Sequence, residues 1–221
     1  GDDWIWSGSG ANRLVGGSGQ DSLAYTSSTA GVNVSLATGS AWGGWAQGDS
    51  ITGFEHLHGS AHADTLTGNA LANRLSGGAG ADVISGGGGA DWISGGAGAD
   101  KLYGGSGADV FHFGQASDSP GGAANHDWIM DFQKGVDRID LRGIDANAHA
   151  SGVQGFTRFI GNSNPEASSA FTAGTINWRQ TGGDTLIDLN ISDDTVNGID
   201  RPEMQIRLDG LYTLTLSDFI L

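Results

Sequence analysis

Residues 77–109 read GGAGAD-VIS-GGGGAD-WIS-GGAGAD-KLY-GGSGAD, and the fourth hexapeptide is followed by Val110-Phe111-His112. This is one nine-residue unit in four uninterrupted copies. Its aspartates are Asp82, Asp91, Asp100 and Asp109. Stepping back by nine gives Asn73, Asp64 and Glu55; stepping forward gives Asp118 and Asp127, where the surrounding glycines are gone. The apolar centre of the unit keeps the same beat at Leu57, Leu66, Leu75, Ile84, Ile93, Leu102 and Phe111. A second run opens the chain, with Asp3, Asn12 and Asp21 matched to Ile5, Leu14 and Leu23. A fixed short period of this kind marks a solenoid whose units bury a core only by stacking.

Each part of the unit has a physical reading. Three residues such as Val83-Ile84-Ser85 suit a short strand, with the middle side chain inward and its neighbours outward. The six-residue glycine-rich stretch turns the chain, because glycine tolerates positive φ and close backbone approach. A turn lined by carbonyl oxygens and one carboxylate is a hard-oxygen site and suits Ca²⁺, which takes six to eight oxygen ligands. Two units make one coil, so turns two units apart stack. That pairs Asp64 with Asp82, Asn73 with Asp91, Asp82 with Asp100 and Asp91 with Asp109. The same arithmetic pairs Asp100 with Asp118 and Asp109 with Asp127, which are expected to close the final sites. A flexible glycine-rich linker would have no need of an apolar residue at every ninth position.

Composition narrows the function. The chain has 221 residues, 40 of them glycine, and a formal net charge of −15 from 25 acids and 10 bases. Nucleic acid is not an expected partner, since binding it needs a basic footprint. There is no cysteine, hence no disulfide and no thiolate zinc site. A thin roll has a small core, so metal is expected to supply the staple. No stretch reaches the roughly 20 apolar residues of a transmembrane segment. The chain opens inside a repeat, and we expect an upstream catalytic domain in the same polypeptide.

Four segments are expected: N-terminal repeats over 1–24, a divergent β segment over 25–58, the main calcium-binding roll over 59–127, and a C-terminal β cap with a secretion signal over 128–221. In the divergent segment Val32, Val34 and Leu36 alternate as a strand, followed by a turn at 37–40. Trp42 and Trp45 are expected to plug the space between roll segments. In the cap, strands are expected at 128–132 and 137–141 joined by the turn Gln133-Lys134-Gly135, and at 156–160, 175–179, 185–190, 203–208 and 211–216. The cap is expected to bury Trp128, Phe132, Phe156, Phe159, Phe171, Trp178 and Phe219.

The nonapeptide resembles the calcium-binding repeat of RTX proteins. The stretches 104–111, 116–119 (ASDS), 127–132 (DWIMDF) and 135–141 (GVDRIDL) resemble the serralysin-type C-terminal domain. This resemblance implies an all-β protein: a right-handed parallel β-roll with Ca²⁺ in its loops, capped by a mostly antiparallel C-terminal β unit. The ligand sets it implies are Gly77, Gly78, Ala79 and Gly80 with Asp82; Gly86, Gly87, Gly88 and Gly89 with Asp91; Gly95, Gly96, Ala97 and Gly98 with Asp100; and Gly104, Gly105, Ser106 and Gly107 with Asp109. The turns at 59–67 and 68–76, with Asp64 and Asn73, depart from the pattern. The ending Leu216-Ser217-Asp218-Phe219-Ile220-Leu221 is similar to the uncleaved signal of type I secretion substrates. It makes the type I secretion apparatus an expected partner and the extracellular medium the expected location.

Nothing in the sequence specifies a catalytic centre. The zinc motif His-Glu-x-x-His, the elbow Gly-x-Ser-x-Gly and the P-loop are all missing. His56, His58 and His62 form the one histidine cluster and are expected to be surface residues of the roll; His112, His126 and His149 carry no pattern. The chain is therefore read as a non-catalytic module of a larger secreted enzyme. The alternative is a polysaccharide-binding module, supported by Trp4, Trp6, Trp42, Trp45 and Trp92, of which Trp4, Trp6 and Trp92 occupy outward positions.

Overall fold

The computed structural model describes residues 1–122, 125–145, 155–156, 158–161, 173–191, 195–196, 199–200 and 202–221. Phe171 and His149 lie outside them. Two sheets face each other across a narrow core. The first takes its strands in the spatial order Trp4–Trp6, Ser22–Ala24, His56–His58, Arg74–Ala79, Trp92–Ala97, Val110–His112, Arg138–Asp140 and Phe219–Ile220, all parallel. In the second, Thr65–Thr67, Val83–Gly88, Lys101–Ser106 and Asp127–Ile129 run parallel. Successive repeats alternate between the sheets, so each coil advances by 18 residues: Ile84 lies beside Leu102, and Ile93 beside Leu75.

The apolar beat is the core. Leu57, Leu66, Leu75, Ile84, Ile93, Leu102 and Phe111 are all fully buried, joined by Leu23, Val34, Ile129 and Ile139. The central strands run longer than three residues. Arg74–Ala79, Val83–Gly88, Trp92–Ala97 and Lys101–Ser106 carry the first half of each turn into the ladder, where Gly87 pairs with Gly105 and Gly96 with Gly78. Glycine lacks a β-carbon, so neighbouring turns can close up backbone to backbone.

The segment 25–58 is built into the same sheets. Asn33–Ser35 runs parallel to Thr65–Thr67, and Ser40–Trp42 turns back antiparallel beside it. Trp45 is half-buried against the core, but Trp42 is 57% exposed and plugs nothing. Its strand alternates exposed, buried, exposed, with Ala41 taking the inward place.

The C-terminal unit extends the second sheet. Arg158–Gly161, Thr175–Thr181, Asp184–Asn190 and Met204–Leu208 follow in order, and the last pairs with Asp127–Ile129 of the roll. The ladders within Thr175–Leu208 are antiparallel, while both flanking ladders are parallel. The strands Asp127–Ile129 and Arg138–Asp140 are joined by a turn but lie in different sheets, so they form a coil rather than a hairpin. Residues 211–215 form no strand. Leu211 is exposed, and the chain runs into a 3₁₀ turn at Leu216–Asp218. Phe132, Phe156, Trp178 and Phe219 are buried; Phe159 is half-buried, and Trp128 is half-buried under the Arg207 guanidinium, 4.1 Å from its ring. Among the described residues no helix is long and apolar enough to cross a membrane.

Candidate metal centre

Every repeat aspartate immediately precedes a strand, which places its carboxyl at a sheet edge under the glycine turn. One oxygen is used structurally. Oδ1 of Asp82 accepts the backbone N–H of Asp64 at 2.8 Å, Asp91 that of Asn73 at 2.7 Å, Asp100 that of Asp82 at 2.8 Å, and Asp109 that of Asp91 at 2.9 Å. The carboxyls therefore stack in two rows, one per edge of the roll, as the 18-residue arithmetic requires.

The other oxygen is the informative one. Oδ2 of Asp82, Asp91, Asp100, Asp109 and Asp127 is buried and has no hydrogen-bond partner. A buried acceptor without a donor is costly, and a buried charge without a counter-charge more so. The first glycine of each turn sits against this oxygen: a β-carbon on Gly77, Gly86, Gly95 or Gly104 would overlap Oδ2 of Asp82, Asp91, Asp100 or Asp109. Backbone carbonyl oxygens of Gly78, Gly80, Gly87 and Gly89 occupy the space that a β-carbon on Gly96, Gly98, Gly105 or Gly107 would need. One carboxylate oxygen and several carbonyl oxygens per turn is the donor set of a hard divalent cation. Among the described residues no three His, Asp or Glu side chains form a group that could hold a metal ion.

Electrostatics agree. Burial raises the pKa of Asp82 to about 7, of Asp91 and Asp100 to about 6, of Asp127 to about 9, and that of Asp109 in the same direction. Neighbouring carboxylates add to the rise, and the N–H donors oppose it. Both raising causes reflect negative charge held without compensation.

The two C-terminal pairings differ from the nine-residue grid. Asp100 accepts nothing from Asp118; its own N–H donates to Oδ1 of Asp127 at 2.8 Å, and the Asp109 N–H donates to Oδ1 of Asp137 at 3.0 Å, not to Asp127. The cause is an insertion after Phe113. A 3₁₀ turn at Ala116–Asp118 lengthens the coil, so the steps become 27 and 28 residues. Asp118 caps that turn, its Oδ2 accepting the N–H groups of Gly114 and Gln115 at 2.8 and 3.1 Å. It stays close enough to Asp100 and Asp127 to raise the pKa of both.

The irregular turns are satisfied differently. Asp64 accepts from Ser60 N–H at 2.5 Å, Ser60 Oγ at 2.9 Å and Val32 N–H at 2.7 Å. Asn73 accepts from Asn69 N–H at 2.7 Å and donates to the Glu55 carbonyl at 3.0 Å. Ser60 and the Asn73 amide thus supply protein hydrogen bonds where the regular turns leave an oxygen bare.

Sequence reasoning missed Asp131 and Asp137. Asp131 accepts the N–H groups of Gly104 and Gly105 at 2.8 and 2.9 Å, while Asp137 also accepts that of Gln133 at 2.7 Å. Both lie off the grid, inside the stretches DWIMDF and GVDRIDL, which held the signal. The histidine cluster does not converge: His58 stacks on Trp4 with ring centres 4.6 Å apart, and His62 is exposed in a turn. Burial, with Arg74 and His56 nearby, lowers the pKa of His58.

Residues 4–221 match the family described as Peptidase M10 serralysin C terminal. The chain belongs to the serralysin C-terminal domain family. This domain is non-catalytic in itself, and the family is one of secreted proteins. Among solved structures, the chain is similar to the AlgE6R3 subunit of the Azotobacter vinelandii mannuronan C5-epimerase. Identity is 26%, coverage is 72% of this chain and 78% of that one, and the TM-score is 0.50. The AlgE6R2 subunit of the same enzyme is 27% identical, with 73% and 89% coverage and a TM-score of 0.49. The β-roll of this serralysin-family domain is thus shared with a repeat module of a larger enzyme.

Proposed function

We propose that this serralysin-family domain binds Ca²⁺ in its glycine turns and folds on binding it outside the cell, as the exported module of a larger enzyme. The row of buried Oδ2 atoms without donors carries this reading. Asp82, Asp91, Asp100, Asp109 and Asp127 would each present one oxygen to the ion, beside carbonyls of the turns 77–80, 86–89, 95–98 and 104–107; Asp64 and Asn73 lie at the weaker N-terminal margin of the run. Calcium supplies the positive charge that makes burial of these carboxylates favourable. Where calcium is scarce, the carboxylates repel and the chain stays open for transport. Outside, where such modules bind in the range of about 10⁻⁴–10⁻³ M, mass action on several sites drives folding.

The C-terminal strand fits the same sequence of events. Phe219–Ile220 pairs with Arg138–Asp140, and Phe219 is buried. A type I secretion apparatus reading residues 216–221 would therefore meet them before the domain closes. The deciding experiment is far-UV circular dichroism during calcium titration from chelator, with magnesium as control. A cooperative gain of β signal in calcium alone is expected; a full β spectrum in chelator would overturn metal-driven folding.

A second reading has its own observation. Trp4, Trp6 and Trp42 are 47%, 65% and 57% exposed, and Arg74 lies 3.7 Å over the half-buried Trp92 ring on the same face as Trp4. Exposed rings with cations suit an acidic polysaccharide. The similar modules belong to an enzyme named for mannuronan. Quenching of tryptophan fluorescence by alginate in calcium-loaded protein is the expected result; no change up to millimolar sugar would remove this reading.

A further inference from the structure

A cavity of about 530 Å³ lies where the inserted coil after Phe113 meets the cap. Gly121, Gly122 and His126 come from that coil, while Arg179, Leu186 and Arg207 come from three neighbouring cap strands. The volume falls within the range of about 300–1,000 Å³ typical of small-molecule sites. The chain carries 25 acids against 10 Lys and Arg, yet among the described residues this cavity is lined by two arginines and by no acid. Its chemistry runs against the composition of the chain.

Strand register builds the floor. Arg179 stands opposite Leu186 in one antiparallel ladder, and Leu186 opposite Arg207 in the next. Directly opposed residues share a face of the sheet, so the three form a row with the leucine in the middle. Neighbouring strands lie about 4.8 Å apart, which sets the two arginine backbones roughly 10 Å from each other. A sugar-sized molecule spans that gap.

The central strand also fixes the two cations. Asp184 and Asp188 stand two residues to either side of Leu186, on the same face. Nε of Arg179 donates to Oδ2 of Asp188 at 2.9 Å, and Nε of Arg207 to Oδ2 of Asp184 at 2.8 Å. Oδ1 of Asp188 accepts Gln205 Nε2 at 2.6 Å, and Gln205 Oε1 accepts the Gly122 N–H at 2.8 Å, which joins the two walls. Both aspartates are buried, whereas both arginines are half-buried. A guanidinium has five N–H donors. Among the described residues, Arg179 spends one on Asp188 and Arg207 two on Asp184, so each keeps donors for a further acceptor. Guanidiniums already pinned lose little freedom on binding, and their planar forks match a carboxylate.

We propose that this cavity binds a small organic carboxylate of monosaccharide size, with the carboxylate on the Arg179 and Arg207 guanidiniums and the carbon skeleton on Leu186. Leu186 and Pro202 offer apolar contact that an inorganic anion would leave unused. A neutral sugar would bring no charge to the two cations. The site lies on the second sheet, whereas Trp4 and Trp6 lie on the first, so it is separate from the exposed tryptophan face. It depends on the folded chain and not on which ion folds it.

The test is isothermal titration calorimetry on the folded full chain, at fixed free calcium and ionic strength, with glucuronate, glucose and inorganic phosphate as probes. Glucuronate is expected to bind as a single molecule per chain, and glucose and phosphate about tenfold more weakly or less. Arg179→Gln is expected to weaken glucuronate about tenfold or more. Thr181→Glu, at an exposed position lining the cavity, should do the same by repulsion while leaving the sheet core intact. Arg13→Gln, on the far edge strand of the same sheet, should keep the affinity within about twofold. Circular dichroism checks the fold of each variant; if Arg179→Gln does not fold, Thr181→Glu decides. A wild type that binds no glucuronate, phosphate bound as tightly as glucuronate, full affinity in Thr181→Glu, or an equal loss in Arg13→Gln would each overturn the proposal.

Discussion

Asp100 shows what one atom does in this fold. Its Oδ1 holds the neighbouring coil through the Asp82 N–H, and its Oδ2 is buried without a donor. Asp100→Asn keeps the first role and cancels the second, because the amide brings no charge to the cation. The expected result is a rise of about tenfold or more in the calcium concentration for half-folding, about 1.4 kcal/mol or more per site. Calcium-titrated circular dichroism measures it; an unchanged midpoint would remove Asp100 from the ligand set. Glycine positions differ as sharply. Gly107 has φ +141 and a β-carbon there would overlap the Gly89 carbonyl, whereas Gly182, at φ +63, has nothing within 4 Å. Gly107→Ala should cost roughly 3 kcal/mol or more in saturating calcium and Gly182→Ala about 1 kcal/mol, read from urea melts. The sequence pattern located Asp82, Asp91, Asp100 and Asp109 because each unit repeats the same local geometry. Asp49 was illegible, since it lies off the nine-residue grid and its partners Ser7, Asn12 and Tyr25 stand 42, 37 and 24 residues away.

At the scale of the element, the carboxylate row makes the metal-free roll an acid-favoured structure. Burial raises the folded-state pKa of Asp82 to about 7, of Asp91, Asp100 and Asp137 to about 6, and of Asp127 to about 9, all from 3.8. The folded chain then binds more protons than the unfolded one between these limits. Stability from this source is complete below pH 3.8 and is lost as pH rises through 6 to 9. In chelator, the residual β signal should fall between pH 4.5 and pH 8. With saturating calcium the slope should reverse, because protons and the ion compete for the same oxygens. A chelated protein with the same β signal at both pH values would contradict the uncompensated burial of these carboxylates. The strand centres were legible because alternation is local, as at Val32 and Val34. The coil after Phe113 was not: the turn Ala116–Asp118 shifts the register, and only contacts with Asp127 and Asp137 reveal by how much.

At the scale of the whole molecule, roll and cap are tied through shared sheets. Ser119 is fully buried at the seam; its hydroxyl donates to the Gln205 carbonyl and accepts the Asp127 N–H at 2.6 Å, while the Gln205 N–H donates to the Ser119 carbonyl at 3.0 Å. The antiparallel order of the cap was readable from Gly182-Gly183-Asp184 between two apolar runs, but its docking was not, because Met204–Leu208 meets Asp127–Ile129 across more than seventy residues. The other sheet ends at Phe219–Ile220, which covers Arg138–Asp140, with the Phe219 ring set edge-on against Phe159 at 5.7 Å. A solenoid needs its terminal coil covered, and here the cover comes from the far end of the chain. Phe219→Ser should therefore weaken the calcium response well beyond the one coil it touches. Losing a buried phenylalanine costs about 3–5 kcal/mol, enough to raise the calcium midpoint severalfold even when shared among several coupled sites. Calcium-titrated circular dichroism on the full chain is the measurement. A midpoint equal to wild type would mean that the roll stacks without its C-terminal strand, and that the strand serves the secretion apparatus alone.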